Sequence, residues 1–394
     1  MSGAEQLFIV AARRTAIGAF QGAFSGTTAP QLGAVALRAA LADSGLRGEQ
    51  VDEVLLGCVL PAGLGQAPAR QAALAAGIPL QVPASTINKV CGSGMKAVML
   101  GCDAIAAGSA RVIMAGGFES MTRSPYLLPK ARAGYRLGHG EVLDHMFYDG
   151  LQNPYDGALM GHFADLTARR YALSRADQDA YAAESVRRAL LACEGGAFAA
   201  EIAAVSVKSR KGEQLVARDE VPYTCDVSRI AQLKPAFDAD GTVTAASSSS
   251  IADGAAALVI MSESALHTAA AAPLARIVAY GSHAQEPEWF TTAPAGAIQR
   301  VLRQAGWRTQ DVDLYEINEA FAVVTMVTMR DLNLPHEKVN VNGGACALGH
   351  PIGATGARLI TTLAHALKEQ KLQRGVAALC IGGGEATAVA IEAV

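Results

Sequence analysis

The sequence predicts an α/β protein built from two duplicated halves, with a loop-rich insertion in the first. Three landmarks recurring in one order predict this. Residues 41–56 run from a helix end through Gly45 and a short turn to Val51-Asp52 and an apolar strand. Residues 302–317 do the same through Gly306 and Val312-Asp313. Each copy then reaches a glycine-rich turn opening a helix: Cys91-Gly92-Ser93-Gly94 in one, Gly349-His350-Pro351-Ile352-Gly353 in the other. Each finally has an apolar strand running into glycines, residues 111–117 and 376–384. Between the copies, residues 120–246 are polar and rich in turn formers. One clear helix stands there over 175–192, with Ser174 and Asp177 as its N-terminal box. The expected division is residues 1–119 with 247–270 as the N-terminal half, 120–246 as a loop domain, and 271–394 as the C-terminal half.

A chain of 394 residues, 51% of them apolar, can bury a large core in two or three units. No apolar run approaches the roughly 18–20 residues of a membrane-spanning helix. A net charge of −3 with scattered basic residues gives no reason to expect nucleic acid or a membrane surface as partner. The seven cysteines form no C-x-x-C pair, which disfavours a disulfide framework or a zinc site and suits a reducing cytoplasm. At the N-terminus the apolar run 7–12 precedes Arg13 and Arg14, the reverse of a signal peptide, and reads as a first strand.

Cys91 stands just before Met95, Val98, Met99, Cys102 and Ile105, which follow helical spacing, so it belongs at a helix N-terminus. Free N–H groups and the helix dipole there favour an anion, and a lowered thiol pKa is the expectation. A small buried cysteine is the competing reading. His350 lies among five glycines, which open the imidazole to a ligand or else serve close helix packing. Cys380 ends an apolar strand before Gly382-Gly383-Gly384, and Asn318 and Glu319 follow another; ligands of α/β sheets gather at such strand ends. A helix cap is the plainer role for Asn318. No glycine turn matches a phosphate-binding or dinucleotide-binding motif in its proper context.

At these residues the chain resembles the thiolase family. Asn88-Lys89-Val90-Cys91-Gly92-Ser93-Gly94 is similar to its nucleophile motif, Asn318-Glu319-Ala320-Phe321 to its Asn-Glu-Ala-Phe motif, Gly349–Gly353 to its histidine motif, and Cys380–Gly384 to its second-cysteine motif. Residues 12–18, 115–121 and 241–244 match as well. The resemblance implies a thiolase fold, a five-layered αβαβα core, and reversible cleavage of 3-ketoacyl-CoA or condensation of acetyl-CoA with an acyl-CoA. Cys91, activated by His350, would carry the acyl group, and Cys380 would move the proton on carbon. One oxyanion hole would be His350 with a water on Asn318, the other the N–H groups of Cys91 and Gly382. Ser249, Ala245, Phe237, Phe321, Met160 and Leu151 would line the pantetheine and acyl channel. Coenzyme A and acyl-CoA are then substrates, with no metal and no permanently bound cofactor.

The narrower expectation is an acetyl-CoA C-acetyltransferase acting on acetoacetyl-CoA. The alternatives are a broader 3-ketoacyl-CoA thiolase of fatty-acid degradation and an acyl-CoA-binding protein without turnover. A decarboxylating ketoacyl synthase would pair its cysteine with two histidines, and the Asn318 motif together with the second cysteine argues against that class. The chain departs from common family usage at Leu159, Ser247 and Glu385, which leaves acyl length open. Lys208, Arg210, Lys211 or Arg218 would replace an arginine that some relatives use near the nucleotide. Residues 124–143, in the region relatives use for tetramer contacts, point to a homotetramer.

Overall fold

A computed structural model describes residues 5–209 and 212–394. The first half comprises β1 (Leu7–Thr15), α1 (Ala29–Ser44), β2 (Glu53–Gly57), β3 (Ala84–Ile87), α2 (Ser93–Ala106) and β4 (Val112–Ser120). An insertion carrying α3 (Met160–Arg170) and α4 (Arg175–Gly195) follows, and β5 (Ala252–Ser262) returns to the first sheet. The second half comprises β6 (Ala275–Ala284), α5 (Ala293–Ala305), β7 (Leu314–Ile317), α6 (Ala322–Leu332), α7 (Thr355–Gln370), β8 (Arg374–Ile381) and β9 (Glu385–Ala393).

The strand orders match: β3-β2-β4-β5-β1 in one half and β7-β8-β9-β6 in the other. Two parallel pairs lead into two antiparallel ones in the first half, and one parallel pair into two antiparallel ones in the second. Where β3 stands in the first half, Val339 makes a single parallel bridge to Tyr315 of β7. The repeat extends to atoms. Gly45 and Gly306 both end a helix in the left-handed region, each at φ 69°. Asp52 accepts the N–H groups of Arg111 and Val112 at 2.7 and 2.9 Å, and Asp313 those of Gln373 and Arg374, both at 2.9 Å. The sheets meet edge to edge, where β1 pairs with β6 from Leu7↔Ile277 to Ile9↔Ala275, so one hydrogen-bonded path crosses both halves.

Every residue of β4 and β5 is buried, because helices cover both faces of the sheet. Between the sheets α2 and α7 pack Met95, Val98 and Met99 against Leu359, Ile360 and Leu363. Outside, α1 covers one sheet with Leu32 and Leu37, and α5 the other with Ile298 and Val301. These are the five layers. The central helices cross closely: a Cβ on Gly94 would lie 2.9 Å from Gly353 O, and one on Gly356 only 2.5 Å from Met95 N. Part of the glycine density around His350 therefore serves packing.

The insertion differs in detail from the sequence reading. Its predicted helix is α4, with the Ser174–Asp177 box present and an extension to Gly195. The unpredicted α3 buries Gly161, Phe163, Ala164, Thr167 and Ala168, a face too small and mixed to give a clear apolar period. Asn318 is not a helix cap, since α6 starts at Ala322 with Phe321 before it.

Candidate active site

The chain leaves β3 at Ile87 and turns into α2 through Asn88–Gly92. Val90 adopts φ 46°, a left-handed conformation costly for a β-branched residue. Side chains hold it there. Asn88 Oδ1 accepts the Val90 N–H at 3.0 Å, while Ser93 Oγ accepts the Lys89 N–H at 2.8 Å and donates to Val90 O at 2.6 Å. Gly92 leaves room for the opposite half, since a Cβ there would sit 2.4 Å from Ile381 Cδ1 and displace that side chain. Cys91 is thereby fixed one residue before the helix N-cap Gly92.

The lowered thiol pKa expected from that placement is not found. Burial pushes the Cys91 thiol up to about 11, and the backbone N–H groups of Gly382 and of Cys91 itself, which favour the thiolate, only partly offset it. At rest Cys91 is a thiol, and a nucleophilic role would need a base.

His350 is the candidate for that base. Burial, with the Arg358 charge second, lowers its pKa to about 3, so the imidazole is neutral. Thr355 Oγ1 lies 2.6 Å from His350 Nδ1 and donates its own proton to Pro351 O at 3.0 Å. The hydroxyl can then only accept from the ring, which assigns the proton to Nδ1 and leaves Nε2 as the basic nitrogen. Asn318 Nδ2 lies 3.5 Å from that Nε2, and among the described residues Asn318 Oδ1 is buried with no partner. Thr355 was not singled out from the sequence; a hydroxyl five residues after the histidine, at a helix start, was the available signal.

Two buried carboxylates brace these loops. Glu319 accepts from Tyr181 Oη (2.8 Å), Ser185 Oγ (2.7 Å), Asn340 Nδ2 (2.8 Å) and Cys346 N (3.1 Å), which ties the end of β7 to α4. Glu119 accepts from Val59 N (2.9 Å), Leu60 N (3.2 Å) and Gly353 N (3.0 Å), and burial raises its pKa to about 7. Cys380 is buried near the end of β8, where burial first and the Cys91 charge second push its thiol well above the ordinary range.

Cys91, His350 and Gly382 border one cavity of about 200 Å³, which Ser249, Phe237, Phe321, Met160 and Leu151 also line. Phe237 and Phe321 meet edge to face at 5.8 Å. Ala245 does not line it. Hydrogen bonds from Thr244 N to Ser247 Oγ (2.8 Å) and from Ser248 Oγ to Thr244 O (2.7 Å) make a tight turn, and Ala245 is exposed at its tip. Phe147, Phe290 and Ile352 are among further wall residues that the sequence did not single out as lining. Asn318 and Cys380 are buried behind the lining residues. Lys208 is exposed, the Arg218 guanidinium stacks 4.2 Å over Tyr223, and Arg210 and Lys211 lie outside the described residues. Among the described residues no group of three or more His, Cys, Asp or Glu side chains is placed to hold a metal ion. No described helix is long and apolar enough to cross a membrane.

A half-buried thiol and a neutral imidazole bordering one cavity, at the seam of two matched α/β halves, suit acyl transfer through cysteine. The family model for the thiolase N-terminal domain matches residues 7–264, and that for the thiolase C-terminal domain matches 271–393. The acetyl-CoA acetyltransferase of Escherichia coli is 49% identical over 386 residues, 98% of each chain. That of Pseudomonas aeruginosa is 48% identical over 389 residues, 98% of this chain and 99% of its own. The crystal structure of the Bacillus anthracis acetyl-CoA acetyltransferase superposes with a TM-score of 0.97 at 41% identity, covering all of both chains. The chain belongs to the thiolase family.

Proposed function

We propose that the chain is an acetyl-CoA C-acetyltransferase that uses Cys91, His350, Cys380, Asn318 and the Gly382 N–H to make and cleave acetoacetyl-CoA. The convergence of Cys91, His350 and Gly382 on one cavity carries the reading. In cleavage, Cys91 Sγ attacks the 3-keto carbon and gives its proton to His350 Nε2. The oxyanion that forms on that carbon is held by the N–H groups of Cys91 and Gly382, and the oxygen of the departing acetyl-CoA carbanion by His350 with a water on Asn318. Collapse breaks the carbon–carbon bond, and the acetyl-CoA carbanion takes its proton from Cys380, whose raised pKa keeps it a thiol able to give one. Coenzyme A then gives its thiol proton to the Cys380 thiolate and takes the acyl group, the oxyanion again held by the N–H groups of Cys91 and Gly382, and the departing Cys91 sulfur recovers its proton from His350. Condensation is the reverse. Coenzyme A thioesters are substrates, and no permanently bound cofactor is involved.

Leu159 and Met160 in the cavity wall favour a second reading, activity on longer 3-ketoacyl-CoA substrates of fatty-acid metabolism. We divide the chain into 1–119 with 247–270, 120–246, and 271–394, supported by the return of β5 to the first sheet. A homotetramer is supported by exposed Tyr126, Leu128, Leu137 and Val142 on the insertion, and a reducing cytoplasm by seven free cysteines. The test is the absorbance of magnesium-complexed acetoacetyl-CoA on adding coenzyme A. Wild type should consume it and Cys91→Ala should not; a stable signal with wild type overturns the reading. Rates on a longer 3-ketoacyl-CoA measure the chain-length preference.

A further inference from the structure

The N–H groups of Cys91 and Gly382 act as one oxyanion hole, yet they belong to turns from different halves of the chain. The Cys91 turn contains Val90 in a strained left-handed conformation and hangs between β3 and α2. The Gly382 turn is a hairpin between β8 and β9, and its far end is firmly seated. Glu385 pairs with Ile381 of β8 on one side and Ala284 of β6 on the other. A Cβ on Gly384 would lie 2.3 Å from Gln285 O, so the hairpin is pressed against that strand end.

One ion pair joins the two turns. Lys89 Nζ, two residues before the nucleophile, bonds Glu385 Oε2 across 296 positions of sequence. Both side chains are partly shielded, at 22% and 36% exposure, so the pair is less screened by salt than a free surface pair. Directly behind it, Gly92 packs on Ile381. A charged contact at the rim and an apolar contact behind it thus fix the spacing of the turns.

We infer that Lys89 and Glu385 are positioning residues that clamp the nucleophile turn to the second-cysteine turn and so set the spacing of the two oxyanion-hole donors. The inference rests on the acyl-transfer reading above for its kinetic consequence. Such donors act over tenths of an ångström, so loosening their spacing weakens transition-state binding more than substrate binding.

The test compares Lys89→Met/Glu385→Gln, which keeps the local net charge, with the charge-reversed Lys89→Glu/Glu385→Lys. The readouts are kcat and KM for acetoacetyl-CoA cleavage, the rate of Cys91 alkylation by iodoacetamide at pH 8 followed on the Cys91 peptide, and Tm. The neutral pair should lower kcat about tenfold with KM within about twofold, slow alkylation, and keep its Tm; the reversed pair should recover at least half of both losses. A neutral pair with wild-type kcat and wild-type alkylation overturns the clamp. So does a Tm loss that parallels the kcat loss and is not recovered by reversal. Alkylation reports on the thiol without turnover, so an enzyme that fails to cleave acetoacetyl-CoA refutes the functional reading while the clamp is still judged by the alkylation rates.

Discussion

Replacing Thr355 by valine tests the tautomer logic of the site. The substitution keeps shape and removes the hydroxyl that accepts from His350 Nδ1 at 2.6 Å. With valine there, the tautomer protonated on Nδ1 buries an unpaired N–H, at a cost of about 1–3 kcal/mol. The ring escapes by carrying its proton on Nε2, the nitrogen that must accept from Cys91. Recovering the working tautomer then costs that same energy in every turnover. At about 1.4 kcal/mol per tenfold, kcat should fall roughly 5- to 150-fold. KM should change little, because the hydroxyl does not line the cavity. Steady-state cleavage of acetoacetyl-CoA reads both constants, and a thermal melt records the smaller loss from the Thr355–Pro351 hydrogen bond. Thr355→Ser restores an acceptor and should recover most of the activity. A valine variant within twofold of wild type, or a serine variant as impaired as valine, refutes the reasoning.

Other perturbations probe the frame around the site. His350 has a pKa near 3 when folded against about 6.5 unfolded. Between these values the unfolded chain binds a proton that the folded one does not, so stability rises with pH across that window. Glu119, raised to about 7, acts oppositely between pH 4.5 and 7. Urea unfolding at pH 4.5 and 7 should therefore show His350→Asn losing less stability on acidification than wild type, by a few kcal/mol; equal losses would remove the histidine from the account. Gly94→Ala brings a Cβ 2.9 Å from Gly353 O and 3.0 Å from Ala357 N, both rigid backbone. It should cost about 1–3 kcal/mol and impair activity by separating α2 from α7, and an unchanged Tm with full activity would show that the crossing has slack. Arg14→Met strands Glu201 and Asp219, which Arg14 binds at 2.6 and 2.7 Å in a fully buried site. A loss of about 3–5 kcal/mol is expected, and a chemical melt within 1 kcal/mol of wild type would mean that water reaches the pair.

The reach of the sequence reading follows the range of the interactions that set each feature. The duplication is legible because its marks are local: a left-handed glycine closes a helix in both halves, and an aspartate a few residues on bridges two strands in both. The nucleophile and histidine turns are legible for the same reason, since a reactive side chain beside glycines is a pattern within a few positions. The ionisation state of Cys91 is not. A helix N-terminus, read locally, argues for a thiolate, whereas burial between two halves brought together from distant sequence argues for a thiol, and burial prevails. His350 follows the same rule, its charge removed by packing that no window of sequence contains. In the proposed mechanism nucleophile and base are both neutral at rest, so the proton would move as the substrate is attacked rather than before. The reaction then depends on donors already aimed at the oxyanion, so the spacing of turns from opposite halves carries much of the chemistry. The contact that governs that spacing joins residues 296 positions apart and has no local signature.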